Sequence, residues 1–129
     1  MAQRGSPRIA VSFEAIRRRG ERSWLVTWRI RNGGATPVTV TEAWHPHGRF
    51  HSSRLRRSLR IPARASASLE LPARIDAAPG DEIENCFLIL RAGRGREGWR
   101  ALSRFTLRIG DDGTPSARVE AIDVHPAAD

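Results

Sequence analysis

A histidine-rich segment is the first place in this sequence where residue types and spacing could do chemistry. WHPHGRFH, residues 44–51, holds three of the four histidines of the chain. His45 and His47 form an H-x-H pair, which on an extended backbone directs both rings to one side and can ligate zinc or copper. No Cys or acid of matching spacing supplies a fourth ligand. His45, His47 and His51 are therefore weak metal candidates, and we expect no cofactor.

The same segment is the best candidate for protein recognition. Loops at the end of a rigid domain often carry function, and aromatic residues and Arg are enriched in interface hot spots. The predicted partner-binding residues are Trp44, His45, His47, Arg49, Phe50 and His51. The alternative is structural, with Trp44 and Phe50 plugging the end of the domain.

Arginine supplies a second candidate surface. All 22 basic residues are Arg, and the formal net charge is +8. This excess attracts polyanions at low salt, and it also favours solubility. Seven arginines take outward positions on predicted strands: Arg29, Arg31, Arg54, Arg56, Arg60, Arg104 and Arg108. If those strands share one sheet, the guanidinium groups form one anion-binding face for nucleic acid or for an acidic protein.

The segment GRGREG, residues 93–98, matches the G-x-G-x-x-G pattern of dinucleotide-binding proteins. That motif requires a strand before it and a helix after it. The segment that follows, WRALSRFTLRIG, alternates polar and apolar residues as a strand does. We therefore interpret these glycines as a hairpin loop, where Gly adopts positive φ at low cost.

No enzyme signature is present: G-x-S-x-G, H-E-x-x-H and the P-loop are all missing. Asp81 and Asp112 fall in turns, where carboxylates usually cap backbone N–H groups. Cys86 lies in the apolar run CFLIL, which favours a buried, inert thiol. A single cysteine and the lack of a long apolar run lead us to expect a cytoplasmic protein without a membrane span.

Alternation with period two dominates the rest of the chain and predicts strands. Trp24, Val26, Trp28 and Ile30 share one face of a predicted strand. RIAVSFEA also alternates, with Ile9, Val11, Phe13 and Ala15 on one face, and we expect a loop after it. CFLIL does not alternate, which predicts a strand buried on both faces in its middle. Turn clusters follow at NGGATP, APGD and DDGTP.

The unit WLVTWRIRNGGATPVTV, residues 24–40, resembles the B strand, Asn-Gly turn and C strand of immunoglobulin-like modules of bacterial type. The resemblance covers this hairpin directly and the rest of the chain only in rhythm. The chain departs from antibody-type domains because it has no Cys pair and no Tyr. The resemblance implies a module that binds proteins, glycans or neighbouring domains.

We therefore predict a single all-β domain over residues 1–129, with short flexible termini. The predicted fold is an immunoglobulin-like β-sandwich of seven to nine mostly antiparallel strands. The predicted function is a non-catalytic binding or assembly module for a protein partner, with an acidic partner or a homo-oligomer both compatible. The alternatives are a polyanion binder that uses the Arg rows and a metal binder that uses the histidines.

Overall fold

The computed structural model describes residues 5–127, and all the regular structure in that range is β-strand. The parts of the predicted flexible termini at residues 1–4 and 128–129 lie outside it. The strands are β1 (Ile9–Gly20), β2 (Ser23–Asn32), β3 (Val38–Trp44), β4 (Pro46–His47), β5 (Phe50–His51), β6 (Leu55–Ile61), β7 (Ser66–Ile75), β8 (Glu82–Arg94), β9 (Glu97–Ile109) and β10 (Pro115–Pro126).

These strands form two antiparallel sheets of five strands each. The first, with order β1-β2-β7-β5-β4, is called here the β2 sheet. The second, with order β10-β9-β8-β3-β6, is called the β9 sheet. The all-β prediction is confirmed. The strand count exceeds seven to nine because the histidine segment, predicted to be a loop, contains two strands of two residues each.

The core is formed by the inner faces of both sheets. Trp28 of β2, Phe50 of β5 and Phe105 of β9 are at most 1% exposed. The Phe105 ring lies 5.0 Å from Trp28 and 5.2 Å from Phe50, centroid to centroid. Burial of each such side chain contributes about 1.5–3 kcal/mol. The predicted inward row of β2 is confirmed, since Trp24, Val26, Trp28 and Ile30 are all buried.

Bulges correct the sequence prediction in β1. The strand continues to Gly20 where we expected a loop, and its register with β2 shifts between Phe13 and Ala15. An extra residue in a bulge moves the following side chains to the opposite face. Ala15 is therefore exposed, although we predicted it inward, and Ile16 packs against the core instead.

The middle of β8 is also different from the prediction. Cys86, Leu88 and Leu90 are fully buried, but Phe87 and Ile89 are only half-buried. The strand therefore alternates, with one apolar face inside the sandwich and a second on the outside. This outer apolar face is central to the candidate site.

Asn32 fixes the entry into β3. Its Nδ2 donates to the carbonyl oxygens of Thr36, at 2.8 Å, and Ile61, at 3.1 Å, and its Oδ1 accepts the N–H of Gly34 at 3.0 Å. The side chain is 1% exposed. One amide therefore joins the turn predicted at residues 32–37 to the end of β6.

Candidate functional site

The histidine segment continues the alternation of β3. Ala43 and His45 are both fully buried, whereas Trp44 between them is half-buried on the outer face of the β9 sheet. The chain then enters the β2 sheet through β4 and β5, where Phe50 is 1% exposed and fills the core. His45 and Phe50 of this segment therefore belong to the protein interior.

His45 is held in a single protonation state. Nε1 of Trp28, which can only donate, lies 3.0 Å from Nε2 of His45, so Nε2 accepts and the proton resides on Nδ1. Burial lowers the pKa of His45 from 6.5 to about 3, against a hydrogen bond with the Pro72 carbonyl that raises it. The ring is therefore neutral at physiological pH.

A Ser–His pair is present but has the wrong tautomer for catalysis. Oγ of Ser52 lies 3.4 Å from Nδ1 of His45 and accepts the backbone N–H of His45 at 3.1 Å. A general base needs an unprotonated nitrogen facing the hydroxyl. Here Nδ1 carries the proton and Nε2 is bonded to Trp28. The pair therefore holds the chain in place and does not activate Ser52.

The six predicted partner-binding residues do not share one surface. His45 and Phe50 lie in the core and cannot touch a partner, which corrects the prediction for both. His47, Arg49 and His51 remain at the surface. Arg49 is committed to the neighbouring loop, since its guanidinium donates to the Asp76 carbonyl at 3.0 Å and to the Asp81 carboxylate at 3.1 Å.

The three metal candidates are not brought together either. His45 is enclosed, with Nε2 already bonded to Trp28, and Nδ1 of His47 accepts the N–H of Arg49 at 3.0 Å. Within residues 5–127, no group of three or more His, Cys, Asp or Glu side chains is arranged to hold a metal ion. The His-x-His spacing fails because alternation turns His45 inward before β4 begins.

The seven predicted anion-binding arginines are divided between the two sheets, so the condition for a single anion-binding face, that their strands share one sheet, is not met. Arg29 and Arg31 belong to β2. The other five belong to the β9 sheet, either in β9 itself or in and just before its edge strand β6. Within that sheet, β3 and β8 separate β6 from β9. Those others are Arg54, Arg56, Arg60, Arg104 and Arg108.

The outer face of the β9 sheet contains a surface that the sequence did not reveal. Trp44 is the register partner of Ile89, and Ile89 is the partner of Leu102, so three half-buried apolar side chains form a row across β3, β8 and β9. Phe87 lies beside this row. The described strands form two layers only, so none of them covers it.

Charged residues of both signs border this row, because Asp123 of β10 is the register partner of Leu102 and Glu42 lies 3.9 Å from Arg54, but arginines are the more numerous. The guanidinium of Arg54 stacks on the Trp44 ring at 4.1 Å, and Arg104 pairs in register with Phe87. Arg100 lies in the next row of β9. We call this surface the Trp44 face and define it by Trp44, Phe87, Ile89, Leu102, Arg54, Arg100 and Arg104.

A depression of about 320 Å³ adjoins the Trp44 face at β10. It is lined by Arg100, Leu102, His125, Pro126 and Ala127. Nε of Arg100 is buried and has no hydrogen-bond partner within residues 5–127. A buried donor without an acceptor costs about 1–3 kcal/mol.

The signal that could have indicated the Trp44 face was the apolar run CFLIL. We predicted that its second face was covered, whereas Phe87 and Ile89 are on the outside. Leu102 was equally visible as an apolar residue among arginines in WRALSR. These residues come together only through the order of the strands in the sheet, and no local sequence pattern predicts that order.

The glycine-rich segment forms the β8–β9 hairpin, as interpreted. Gly95 has φ 64°, the left-handed conformation that favours glycine. A strand, β9, follows it, so the helix that a dinucleotide motif requires is not there. Arg94 is committed to Glu97 at 3.1 Å and to the Gly5 carbonyl at 2.7 Å.

Cys86 is buried and the carboxylates of Asp81 and Asp112 cap backbone N–H groups in turns, as predicted. Burial raises the pKa of Cys86 to about 11. The Ala78 N–H donates to the carboxylate of Asp81 at 2.9 Å, and the Thr114 N–H donates to that of Asp112 at the same distance. These hydrogen bonds are the main cause of the lowered pKa of each carboxyl.

No protein-family model matches the chain, and no curated protein or solved structure is significantly similar to it. Residues 5–127 contain no helix of the length and apolarity needed to span a membrane.

Proposed function

We propose that this protein is a non-catalytic binding module that contacts an acidic protein partner through the Trp44 face. The observation behind the proposal is the row Trp44–Ile89–Leu102, three half-buried apolar side chains in direct cross-strand register on an outer sheet face. Aligned apolar groups at a surface are typical of interaction sites. Removing their remaining surface from water would favour association.

The composition of the Trp44 face favours a protein over a simple anion. Trp and Arg are the residues most often found at interface hot spots, and here Arg54 stacks on Trp44 at 4.1 Å. Arg100 and Arg104 add positive charge on either side of Leu102 in β9. An acidic partner would gain charge complementarity at the rim and apolar contact at the centre.

Polyanion binding remains the alternative and has less support. The arginines that would contact a phosphate backbone are split between the β2 sheet and the β9 sheet. Phosphates over the Trp44 face would meet the apolar row, and the aromatic stacking platforms of this face are Trp44 and Phe87. The affinity of such binding for a polyanion would fall with salt in proportion to the number of phosphate contacts.

Strand order supports an immunoglobulin-like relationship as part of this proposal. The set β1, β2, β7 and a short further strand opposite β3, β8 and β9 has the arrangement of the A-B-E-D and C-F-G sheets. One departure is that the short β4 and β5 precede β6 in the chain. The proposed compartment is the cytoplasm, supported by the one cysteine being a buried free thiol.

Two glutamate substitutions on opposite outer faces test the proposal. Leu102→Glu places a charge in the Trp44 face, and Thr27→Glu places one at a half-buried outer position of β2 as a matched control. Each immobilised variant and the wild type are incubated with nuclease-treated lysate of the source organism. Retained proteins are identified by mass spectrometry, and the dissociation constant of each is then measured with purified components.

We expect a protein that binds wild type and Thr27→Glu equally and binds Leu102→Glu at least about tenfold more weakly. An affinity that falls for Thr27→Glu and not for Leu102→Glu would refute the role of the Trp44 face. If nuclease removes all retained material, nucleic acid becomes the first candidate.

A further inference from the structure

We propose that a pocket at one end of the sandwich binds a phosphate group, either as free phosphate or as part of a small phosphorylated molecule. The pocket has a volume of about 360 Å³. Four parts of the chain line it: the segment before β1, the β2–β3 turn, the β6–β7 turn and the end of β8. None of the described lining residues belongs to the Trp44 face, so the site is independent of the function proposed above.

The charge of this pocket favours an anion. Arg8, Arg64 and Arg94 line it, and no Asp or Glu of residues 5–127 does. The side chains of Arg8 and Arg64 form no ion pair within that range. Glu97 offsets part of the charge from outside the lining, because its carboxylate accepts Nε of Arg94 at 3.1 Å. Three guanidinium groups against one carboxylate leave a net positive charge, which attracts anions.

Backbone hydrogen bonds hold two of the arginine-bearing segments against the same turn. The carbonyl of Arg8 accepts the N–H of Gly33 at 2.7 Å. The carbonyl of Ala65, which follows Arg64, accepts the N–H of Asn32 at 2.8 Å. Gly33 and Asn32 are neighbours at the start of the β2–β3 turn. The segments that carry Arg8 and Arg64 are therefore brought together by the fold and not by a ligand.

Arg94 is held in place by contacts of its own. Its side chain is 15% exposed, and its guanidinium lies 5.7 Å from the centre of the Trp99 ring. Nε donates to Glu97, and Nη2 donates to the carbonyl of Gly5 at 2.7 Å. Nη1 has no hydrogen-bond partner within residues 5–127 and can donate to a ligand. A side chain fixed in this way loses little conformational entropy when an anion binds.

A phosphate group suits this pocket better than a carboxylate. It carries about two negative charges near neutral pH and directs its oxygens to several sides, so arginines from separate segments can each reach one. Ser6 and Ala35 in the lining add a hydroxyl and a backbone N–H that have no partner within residues 5–127. Gly33 and Gly34 have no side chains to keep a ligand away from the turn.

The size of the pocket favours a small ligand over nucleic acid. A volume of about 360 Å³ is in the range of small-molecule sites. A nucleic-acid backbone gains affinity from many phosphate contacts along a track of cations. This pocket is a single concave site at the end of the sandwich, and it offers its arginines to one phosphate at a time.

The backbone of Arg64 allows a test that spares the fold. Its φ is 57°, a left-handed conformation that costs a residue with a side chain about 1–2 kcal/mol and that Gly adopts readily. Arg64→Gly therefore removes the guanidinium and should not destabilise the turn. Arg22 has φ 62° in the turn between β1 and β2, at the other end of β2. Arg22→Gly is the matched control, with the same change of charge and backbone away from the pocket.

The probes are inorganic phosphate, glycerol phosphate, glutamate and a short oligonucleotide without terminal phosphates. Each is titrated at neutral pH and constant ionic strength into isotope-labelled protein. Binding is followed by the amide chemical shifts of Gly33, Gly34 and Ala35. Wild type is compared with Arg64→Gly and Arg22→Gly, and urea unfolding checks that both variants are folded.

We expect saturable binding of a phosphate probe with a Kd on the order of 1 mM or tighter. Arg64→Gly should weaken it at least about tenfold, and Arg22→Gly should leave it unchanged. Tighter binding of glycerol phosphate would identify a phosphorylated molecule as the ligand, and tighter binding of inorganic phosphate would identify the free ion. Leu102→Glu should have no effect, so failure of this site and failure of the Trp44 face are distinguishable.

Four results would overturn the proposal. The first is the absence of saturable shifts with either phosphate probe. The second is equal weakening by Arg64→Gly and Arg22→Gly, which would indicate a general effect of net charge. The third is equal binding of glutamate. The fourth is tighter binding of the oligonucleotide than of both phosphate probes at the same amides, which would make nucleic acid the ligand.

Discussion

Lowering the pH from 7 to 5 should destabilise this protein, because His45 is buried in its neutral form. The ring is fully enclosed, packs edge-on against Phe50 at 4.7 Å, and accepts a hydrogen bond from Trp28 at Nε2. Burial is the main cause of its lowered pKa, and the charge of nearby His51 lowers it further. A hydrogen bond with the Pro72 carbonyl acts in the opposite direction and raises the pKa.

The direction follows from proton binding in the two states. In the unfolded chain His45 binds a proton below about pH 6.5, but in the folded protein it does so only below about pH 3. Between these values the unfolded state holds more protons, so the free energy of unfolding falls as the pH falls. Linkage gives a loss of about 2 kcal/mol between pH 7 and pH 5, approaching about 5 kcal/mol below pH 3.

The window from pH 7 to pH 5 isolates this effect from the carboxylates. Asp81 and Asp112 also have lowered pKa values, but from an ordinary value of 3.8. Their contributions are present above that value and are lost only as the pH falls below it. A loss of stability above pH 5 must therefore come from groups that titrate near neutrality.

Urea unfolding at pH 7, 6 and 5 measures the effect, with His45→Gln as the test and His51→Gln as the matched control. The pH-dependent loss should be about 2 kcal/mol in wild type and in His51→Gln, and near zero in His45→Gln. If His45→Gln does not fold, the ring of wild-type His45 can be followed by NMR and should stay neutral at pH 5. Equal pH dependence in all three proteins, or a ring protonated at pH 5, would refute the reasoning.

Two further outcomes test the interior. Cys86 should not react with a thiol reagent at pH 8 in the folded protein and should react fully in denaturant, since burial raises its pKa to about 11; rapid reaction under native conditions would contradict this. Asn32→Ala should lower the free energy of unfolding by about 2–4 kcal/mol in urea titrations, because it leaves the buried Ile61 carbonyl and the Gly34 N–H without their side-chain partners. A loss below about 1 kcal/mol would show that water replaces the amide.

Period-two alternation predicted most strands, because each strand has one buried face and that face is recorded in adjacent residues. Trp24, Val26, Trp28 and Ile30 needed no knowledge of the partner strand. Bulges could not be predicted, because the register shift after Phe13 depends on how β1 meets β2 and no residue type marks it. Ala15 was placed inward for that reason alone.

The candidate site was harder to predict because it depends on contacts between distant parts of the chain. Trp44 was identified from its residue type, but its neighbours Ile89 and Leu102 are far away in sequence and meet it only through the order β3-β8-β9. His45 was misassigned because the histidine segment was predicted to be a loop. The alternation of β3 in fact runs one residue further, and that residue is the buried histidine.

The buried polar groups explain how Trp44 could act as a preorganised anchor. Asn32 holds the segment before β3 against the end of β6. His45, the residue directly after Trp44, is held by its hydrogen bond with Trp28 of β2. Both ends of β3 are thus fixed by hydrogen bonds that must be satisfied inside the core. A side chain held in place before binding loses less conformational entropy when a partner arrives. His45 therefore contributes to the Trp44 face from within, although no partner can touch it.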